Sequence, residues 1–227
     1  MDGPSLEERI ARVPAWFHRM ELAPGVVTPG VSDCSITLSR LELPEDCRGM
    51  RVLDVGTRDG FFAFEMERRG AEVVAIDYVP QEQTGFRLAA EALGSRVHYL
   101  RENLFHVTRE RHGGFDLVLC LGVLNHVRDP LGALDTLRGV CRGELFLETA
   151  VSGPGTDPVL RFHPRDSAGG DFTMYWTPNL PCLEALVVEA GFLVGRLTQF
   201  GDRAVCRAAI SLDETLRYYA RIARELP

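Results

Sequence analysis

The sequence predicts an α/β fold with a Rossmann-like, doubly wound sheet of seven strands, mostly parallel, with an antiparallel last strand. From residue 50 onward, short apolar segments alternate with longer helix-like segments. That alternation is typical of βαβ units, whose strands form a parallel sheet. Several apolar segments, such as DLVLCLGVL, are almost continuously apolar, which is typical of strands that are covered on both faces.

The elements follow in order along the chain. Residues 5–13 predict a helix, and residues 1–49 together are interpreted as an N-terminal lid of helix and loop before a domain of residues 50–227. Helices in that domain are predicted to end at Gly70 and Gly94, because glycine commonly follows a helix C-terminus. The predicted strands are RVLDVG, AEVVAID, RVHYL, FDLVLCLGV and GELFLETA, and PLGALDTLRGV is a further predicted helix.

The C-terminal third is less regular. Residues 151–176 are rich in Gly, Pro, Asp and His and predict a long loop, which is usually functional in a compact domain. A helix over LPCLEALVVEAGF precedes two strands, FLVGRLTQF and RAVCRAAI, which Gly201 and Asp202 join as a hairpin. This hairpin gives the antiparallel last strand. The sequence SLDE from Ser211 is a capping-box pattern and predicts a final helix.

Composition excludes several functions. The chain has 227 residues and a formal net charge of −7, and all 25 of its basic residues are arginine. The lack of lysine excludes a Schiff-base lysine and a P-loop lysine. An acidic chain without a basic run is not expected to bind nucleic acid through bulk charge.

The expected location is the cytoplasm, with no membrane partner. No apolar run reaches the length of a membrane span, and the polar, acidic N-terminus is unlike a secretory signal. The six cysteines form no CxxC pair and are expected to be buried, reduced thiols. The histidines and cysteines show no metal-ligand spacing, so no metal is predicted. A metal site assembled from distant carboxylates is left open, as is the oligomeric state.

The segment VLDVGTRDG, residues 52–60, carries the main functional signal. A strand ends there, the chain turns at Gly56 and brings backbone amides near a ligand, and a helix N-terminus with a partial positive charge follows. The next strand ends at Asp77, whose carboxylate can accept the hydroxyls of an adenosine ribose. Dinucleotides and S-adenosylmethionine share this layout. Arg58 blocks the dinucleotide fingerprint G-x-G-x-x-G, and Asp54 would repel a pyrophosphate but can receive an ammonium group.

The segment DVGTRDG resembles the first motif of class I S-adenosylmethionine-dependent methyltransferases, (D/E)-x-G-x-G-x-G, with Arg58 in place of the middle glycine. This resemblance implies the class I fold, S-adenosylmethionine as cofactor and methyl transfer as the reaction. It also places Asn103 at the family's acidic, adenine-contacting position. The cofactor-binding residues that follow from it are Asp54, Gly56, Thr57, Arg58, Gly60, Asp77, Tyr78, Asn103, Leu104 and Leu121.

Further segments are similar to one subgroup, the tRNA wobble-uridine carboxymethyl-type methyltransferases. They are WFHRMELAPGVVTPG, FAFEMERRGAEVVAIDY, LGVLNHVRDP, CRGELFLET and MYWTPNLPCLEALVVEAGF. The subgroup implies an RNA substrate, with plain or carboxylated S-adenosylmethionine. The acidic chain lacks the basic N-terminal surface for RNA, so a hydroxyl or amine of a small metabolite, such as a natural product, is the favoured acceptor. Plain S-adenosylmethionine is the favoured cofactor.

Two histidines are candidate general bases, His126 after the fourth strand and His18 near the N-terminus, because an imidazole titrates near neutrality. Both residues could instead be structural. The predicted substrate-binding residues are Trp16, Asn125, Glu148, Tyr175 and Trp176, with packing in the core as the alternative for the aromatic ones. A cofactor-binding protein that has lost catalysis is the alternative that is not an enzyme.

Overall fold

The computed structural model describes residues 3–211. These residues fall into two compact units, an N-terminal unit that ends at Leu104 and a C-terminal unit that begins at Phe105. The lid boundary between residues 49 and 50 stays a prediction. The helix predicted after Ser211 lies outside the described residues.

The N-terminal unit contains five strands and four α-helices within its described part, and a short 3-10 helix at Gln81–Gln83. Its strands are β1 (Glu21–Ala23), β2 (Val26–Val27), β3 (Arg51–Val55), β4 (Glu72–Asp77) and β5 (His98–Arg101). Its helices are α1 (Leu6–Ala11), α2 (Ser35–Leu41), α3 (Phe61–Arg68) and α4 (Phe86–Leu93).

Local sequence signals explain where these helices begin and end. Ser5 and Glu8 form a reciprocal capping box at the start of α1. Gly70 after α3 and Gly94 after α4 have φ of +96° and +63°, the left-handed conformation that ends helices. The segment EQTGFRLAAEALG predicts a helix that starts at Glu82, and this start is wrong, because residues 81–83 form a separate 3-10 turn and α4 begins only at Phe86.

The C-terminal unit holds three helices and six strands in its described part, with a 3-10 helix at Leu124–His126. Its helices are α5 (Arg109–His112), α6 (Pro130–Val140) and α7 (Leu180–Glu189). Its strands are β6 (Phe115–Leu121), β7 (Cys141–Ala150), β8 (Leu160–Phe162), β9 (Trp176–Pro178), β10 (Phe192–Phe200) and β11 (Arg203–Ile210).

Seven of these strands form the main sheet, three from the N-terminal unit in the order β3-β4-β5 and four from the C-terminal unit in the order β10-β11-β7-β6. The pairs β3–β4, β4–β5 and β6–β7 are parallel. The last strand, β11, is antiparallel to both β7 and β10. The predicted fold class is therefore confirmed.

The region predicted as a long loop contains a small ribbon. Strands β8 and β9 pair antiparallel, with Phe162 opposite Trp176. Only three residues of each strand pair, and intervening residues 163–175 are irregular, which is why the composition indicated a loop. The ribbon therefore joins the two ends of this segment.

The core is apolar, and all six cysteines are buried, as predicted. Within the described part of the chain, no helix combines the length and the apolar character that crossing a membrane would require.

Candidate functional site

The glycine loop between β3 and α3, residues 56–60, is held against the end of β4. The amides of Gly56 and Thr57 donate to the carbonyl of Ile76 at 2.8 and 3.1 Å. These two amides are bonded within the chain, and the approach of other backbone amides of the turn to a ligand stays a prediction. Gly60 has φ of +93°, and a Cβ there would lie 2.4 Å from the ring of Phe64, so this position requires glycine.

Arg58 occupies the position of the family's middle glycine and keeps a glycine-like backbone. Its φ is +52°, in the left-handed region, which costs a residue with a side chain about 1–2 kcal/mol. Its amide donates to Oδ2 of Asp77 at 3.0 Å. Arg58 therefore adopts a backbone conformation that glycine adopts more readily.

Asp77 ends β4 and is buried. Its Oδ2 accepts the Arg58 amide and its Oδ1 accepts the Val79 amide, both at 3.0 Å. Each carboxylate oxygen has a second lone pair. The carboxylate therefore fixes the glycine loop and still has acceptor capacity for a ligand hydroxyl.

Asp54 and Thr57 carry buried polar atoms that are unsatisfied. Asp54 is 2% exposed, and neither its Oδ2 nor Thr57 Oγ1 has a hydrogen-bond partner among residues 3–211. Burial raises the pKa of Asp54 to about 7 and the charge of Asp77 acts in the same direction, while the nearby Thr57 hydroxyl and Ala63 amide oppose the shift. Leaving such atoms unpaired costs about 1–3 kcal/mol each, so a polar ligand group, such as an ammonium, fits this place.

Asp59 is the residue that the sequence reasoning missed. It is fully buried, and its Oδ2 accepts the amides of Phe17 and His18 at 2.6 and 2.8 Å, while its Oδ1 accepts the Gly85 amide at 2.8 Å. Asp59 thus ties the N-terminal segment and the start of α4 to the glycine loop. Its only sequence signal was an acidic residue inside the glycine motif, which does not reveal partners 26 to 42 residues away.

His18 and Trp16 are both buried in the N-terminal unit. Burial lowers the pKa of His18 to about 4, although the charge of Asp59 opposes this shift. The Nδ1 atom of His18 has no hydrogen-bond partner in the described part of the chain. The indole N–H of Trp16 donates to the Ile10 carbonyl at 3.1 Å, and its ring fills the space beside Gly85, where a Cβ would lie 2.0 Å from it. Trp16 is therefore a packing residue here, and its substrate role stays a prediction.

The other predicted cofactor residues of this unit differ in exposure. Tyr78 is 75% exposed and Leu104 is buried. Asn103 is exposed, and its backbone amide donates to Glu102 Oε1 at 2.9 Å. The side chains of Tyr78 and Asn103 are accessible, and their contacts with a cofactor stay predictions.

In the C-terminal unit, His126 is exposed at the end of a 3-10 helix. Its Nδ1 lies 3.1 Å from the carbonyl oxygen of Thr173 and 2.9 Å from the Thr173 hydroxyl. The hydroxyl in turn donates to Oδ1 of Asp171 at 2.6 Å. The structure thus joins a predicted base to two residues of the long loop that the sequence did not single out.

Three of the predicted substrate residues belong to the same neighbourhood of the C-terminal unit. The carbonyl of Asn125 accepts the Tyr175 amide at 2.8 Å, and its Oδ1 accepts the Thr149 hydroxyl at 3.3 Å. The indole of Trp176 donates to the Arg128 carbonyl at 3.1 Å. The Arg128 guanidinium lies 5.4 Å from the centre of the Tyr175 ring. These bonds attach the start of β9 and the residue before it to the turn that contains His126.

Glu148 is buried near the end of β7. It forms a two-pronged ion pair with Arg203, through Nε and through Nη2, the latter at 2.7 Å from Oε2. Both carboxylate oxygens of Glu148 are therefore paired within the chain, and its substrate role stays a prediction. Leu121, a predicted cofactor residue, ends β6, and its contact with a cofactor stays a prediction.

Among residues 3–211, no cluster of three or more His, Cys, Asp or Glu side chains is arranged to hold an ion.

Solved structures share the fold of this chain. The N-terminal domain of EvdMO1 with bound SAH has a TM-score of 0.65 at 19% identity, and the match covers 91% of this chain and 95% of that one. The 1,6-didemethyltoxoflavin-N1-methyltransferase of Burkholderia thailandensis has a TM-score of 0.57 at 20% identity over 72% of each chain. At such low identity these matches establish the fold alone, which is the class I methyltransferase fold.

Sequence comparison gives the family. A family model described as a methyltransferase domain matches residues 33–192, and the chain belongs to this family. The ubiquinone biosynthesis O-methyltransferase of Xanthomonas euvesicatoria pv. vesicatoria (strain 85-10) is 37% identical over 137 residues, or 56% of each chain. The enzyme of the same name from Xanthomonas campestris pv. campestris (strain B100) is 36% identical over 137 residues, again 56% of each chain. The chain thus spans about half the length of the curated relatives it matches.

The resemblance seen in DVGTRDG is confirmed for family and fold. The narrower similarity to the tRNA wobble-uridine subgroup stays a prediction.

Proposed function

We propose that this chain is an S-adenosylmethionine-dependent methyltransferase that methylates a hydroxyl group of a small molecule. The observation that carries the proposal is the pair of unsatisfied buried atoms, Asp54 Oδ2 and Thr57 Oγ1, in the motif that resembles the family's cofactor loop. Membership in the methyltransferase-domain family supports it. So do relatives named O-methyltransferases and structures solved with bound SAH or SAM.

The residues of the N-terminal unit fit the chemical groups of the cofactor. Asp54 and Thr57 offer a carboxylate oxygen and a hydroxyl oxygen for the ammonium of the methionine part. Asp77 offers the remaining lone pairs of its carboxylate to the ribose hydroxyls, while its bonds to the amides of Arg58 and Val79 keep it in place. S-adenosylmethionine, when bound, supplies a methyl group on a positively charged sulfur.

His126 is the proposed proton acceptor. A hydroxyl must lose its proton as its oxygen gains the methyl group, and a general base that takes it typically adds 10²–10⁴-fold in rate. His18 is poorly suited to this task because burial lowers its pKa to about 4, which makes its imidazole a weak base. Asn125, Tyr175 and Trp176 are the proposed acceptor-binding residues, and an amine is the alternative acceptor.

The choice of acceptor rests on charge and on the relatives. The O-methyltransferase names favour oxygen and a small molecule, and a net charge of −7 opposes a large RNA surface. The tRNA wobble-uridine alternative predicts RNA binding with a steep salt dependence. A cytoplasmic location and a role in natural-product synthesis belong to the same proposal.

Two measurements test the proposal. Isothermal titration calorimetry with S-adenosylhomocysteine and S-adenosylmethionine should show binding to the wild type and binding at least tenfold weaker for Asp54→Ala, while Asp46→Ala on the exposed surface serves as the control. Mass spectrometry over a panel of phenols, alcohols and amines should then show the gain of one methyl group. Binding without transfer to any acceptor would favour the inactive cofactor-binding alternative, and no binding would refute the proposal.

A further inference from the structure

We propose that Thr173 and Asp171 are positioning residues that hold the imidazole of His126 in the Nδ1–H tautomer, so that the lone pair on Nε2 is available for the acceptor's proton. The inference rests on the proposed function for its catalytic meaning. The tautomer itself follows from the hydrogen bonds of the C-terminal unit.

The first argument comes from the backbone. The Nδ1 atom of His126 lies 3.1 Å from the carbonyl oxygen of Thr173. A carbonyl oxygen has no hydrogen and can only accept. Nδ1 must therefore be the donor in this bond and must carry the proton.

The second argument comes from the hydroxyl of Thr173 and also makes Nδ1 of His126 the hydrogen-bond donor. This hydroxyl donates its single hydrogen to Asp171 Oδ1 at 2.6 Å, so only its lone pairs remain for His126 Nδ1 at 2.9 Å. Asp171 also accepts the Thr173 amide at 2.8 Å. Hydrogen bonds from the Thr173 hydroxyl and then from its amide lower the pKa of Asp171, although burial opposes them. A protonated His126 acts in the same direction as these bonds. An ionised Asp171 is an acceptor only, which fixes the direction of the chain of bonds.

The segment that carries these residues is fastened next to His126. The amide of Tyr175 donates to the carbonyl of Asn125 at 2.8 Å, and Trp176 bonds the carbonyl of Arg128 at 3.1 Å. These two attachments lie on either side of His126 in the sequence. They hold Thr173 within reach of the imidazole, so the long loop supplies the residues that orient the base.

In a neutral imidazole one ring nitrogen is a donor and the other an acceptor. With the proton on Nδ1, the lone pair lies on Nε2. During transfer to oxygen, the O–H bond of the acceptor breaks and its proton goes to Nε2, while the new O–CH₃ bond forms. The electron pair of the broken S–CH₃ bond stays on sulfur, and the imidazolium that results faces the Asp171 carboxylate through Thr173.

The tautomer can be measured without any activity. Nitrogen-15 NMR of the histidine-labelled full chain near pH 8 should show His126 with a protonated Nδ1 and an unprotonated Nε2, assigned by comparison with His126→Gln. Thr173→Val removes the hydroxyl of an exposed side chain but keeps the backbone carbonyl that also accepts from Nδ1. It should therefore raise the fraction of the Nε2–H tautomer above its wild-type level, whereas Thr173→Ser should restore the wild-type spectrum. Thr156→Val, an exposed threonine of the same loop, is the matched control and should leave it unchanged.

Kinetics with an identified acceptor give the second readout. Thr173→Val and Asp171→Asn should lower kcat about tenfold, part of what a general base contributes, with KM nearly unchanged and with Thr173→Ser close to the wild type. A wild-type spectrum with the proton on Nε2, or an unchanged tautomer in Thr173→Val, would overturn the inference. If no acceptor is found, the proposed function is in question, and the spectra still decide the tautomer.

Discussion

The backbone amide of Arg58 donates a hydrogen bond to the Asp77 carboxylate at 3.0 Å, between residues that are 19 positions apart. This bond joins the glycine loop directly to the end of β4. The glycine loop and the end of β4, which together carry the residues of the cofactor proposal, are therefore in contact within the N-terminal unit.

Asp77→Asn should weaken both the fold and the binding of S-adenosylhomocysteine. An amide has one acceptor oxygen, so the amide of Arg58 or that of Val79 would face an NH₂ group. Leaving a buried donor unsatisfied costs about 1–3 kcal/mol, and we expect a loss of this size in the free energy of unfolding in urea. Asp116→Asn, at a partly exposed aspartate that pairs with Arg142, is the control. Unchanged affinity and stability in Asp77→Asn would contradict this role.

Asp59→Asn should destabilise the N-terminal unit more strongly. Both carboxylate oxygens of Asp59 accept backbone amides, those of Phe17, His18 and Gly85, and an asparagine cannot accept on both sides. We expect a loss of about 3 kcal/mol, since a buried network is broken. Limited proteolysis should show earlier cleavage near residues 13–19 than in the wild type. An Asp59→Asn protein as stable and as resistant as the wild type would show that these amides do not depend on the carboxylate.

In the ligand-free protein, the contribution of Asp54 to the free energy of unfolding should decrease as the pH rises through the range in which Asp54 ionises. The folded-state pKa of Asp54 is about 7 because of burial, whereas an unfolded aspartate titrates near 4. The folded state thus binds the extra proton between pH 4 and pH 7. The favourable contribution of Asp54 to the free energy of unfolding is fully present below about pH 4 and is lost by about pH 7. It amounts to about 4 kcal/mol.

Asp54→Asn tests this contribution because asparagine does not titrate. Urea unfolding at several pH values gives the free energy of unfolding of each protein. As the pH rises from 4 to 7, this free energy should fall in the wild type relative to the variant. A constant difference over this range would contradict a raised pKa for Asp54.

His18 should produce the opposite pH dependence. Its folded-state pKa is about 4, chiefly because of burial, and an unfolded histidine titrates near 6.5. Between these two pKa values the unfolded state binds the extra proton. The contribution of His18 to the free energy of unfolding is therefore present above pH 6.5 and is lost by about pH 4, and it amounts to about 3 kcal/mol. His18→Asn should remove this part of the acid sensitivity, and His98→Asn at an exposed position should not. Equal acid sensitivity in wild type and His18→Asn would refute the assignment.

The regular part of the fold was predictable because its signals are local. The segments RVLDVG, AEVVAID and FDLVLCLGV carry continuous apolar runs, and the glycines after α3 and α4 have the positive φ that ends a helix. The ribbon of β8 and β9 was not predicted, because its strands are three residues long and pair across an irregular segment.

The candidate site was predictable only in part. The glycine motif drew attention to Asp54 and Gly60, and strand periodicity drew attention to Asp77. The roles of Asp59 and Thr173 depend on partners that folding brings near, such as Phe17 for Asp59 and His126 for Thr173. Spacing along the sequence does not contain that information.

Arg58 shows that the glycine motif constrains the backbone torsion angles of the loop more directly than it constrains the residue type. A search that insists on three glycines would pass over this chain, although its main chain turns at residue 58 with φ of +52°. Homologues with other side chains at this position can therefore be recognised by an acidic residue at the end of the second strand, whose carboxylate receives the amide of the turn.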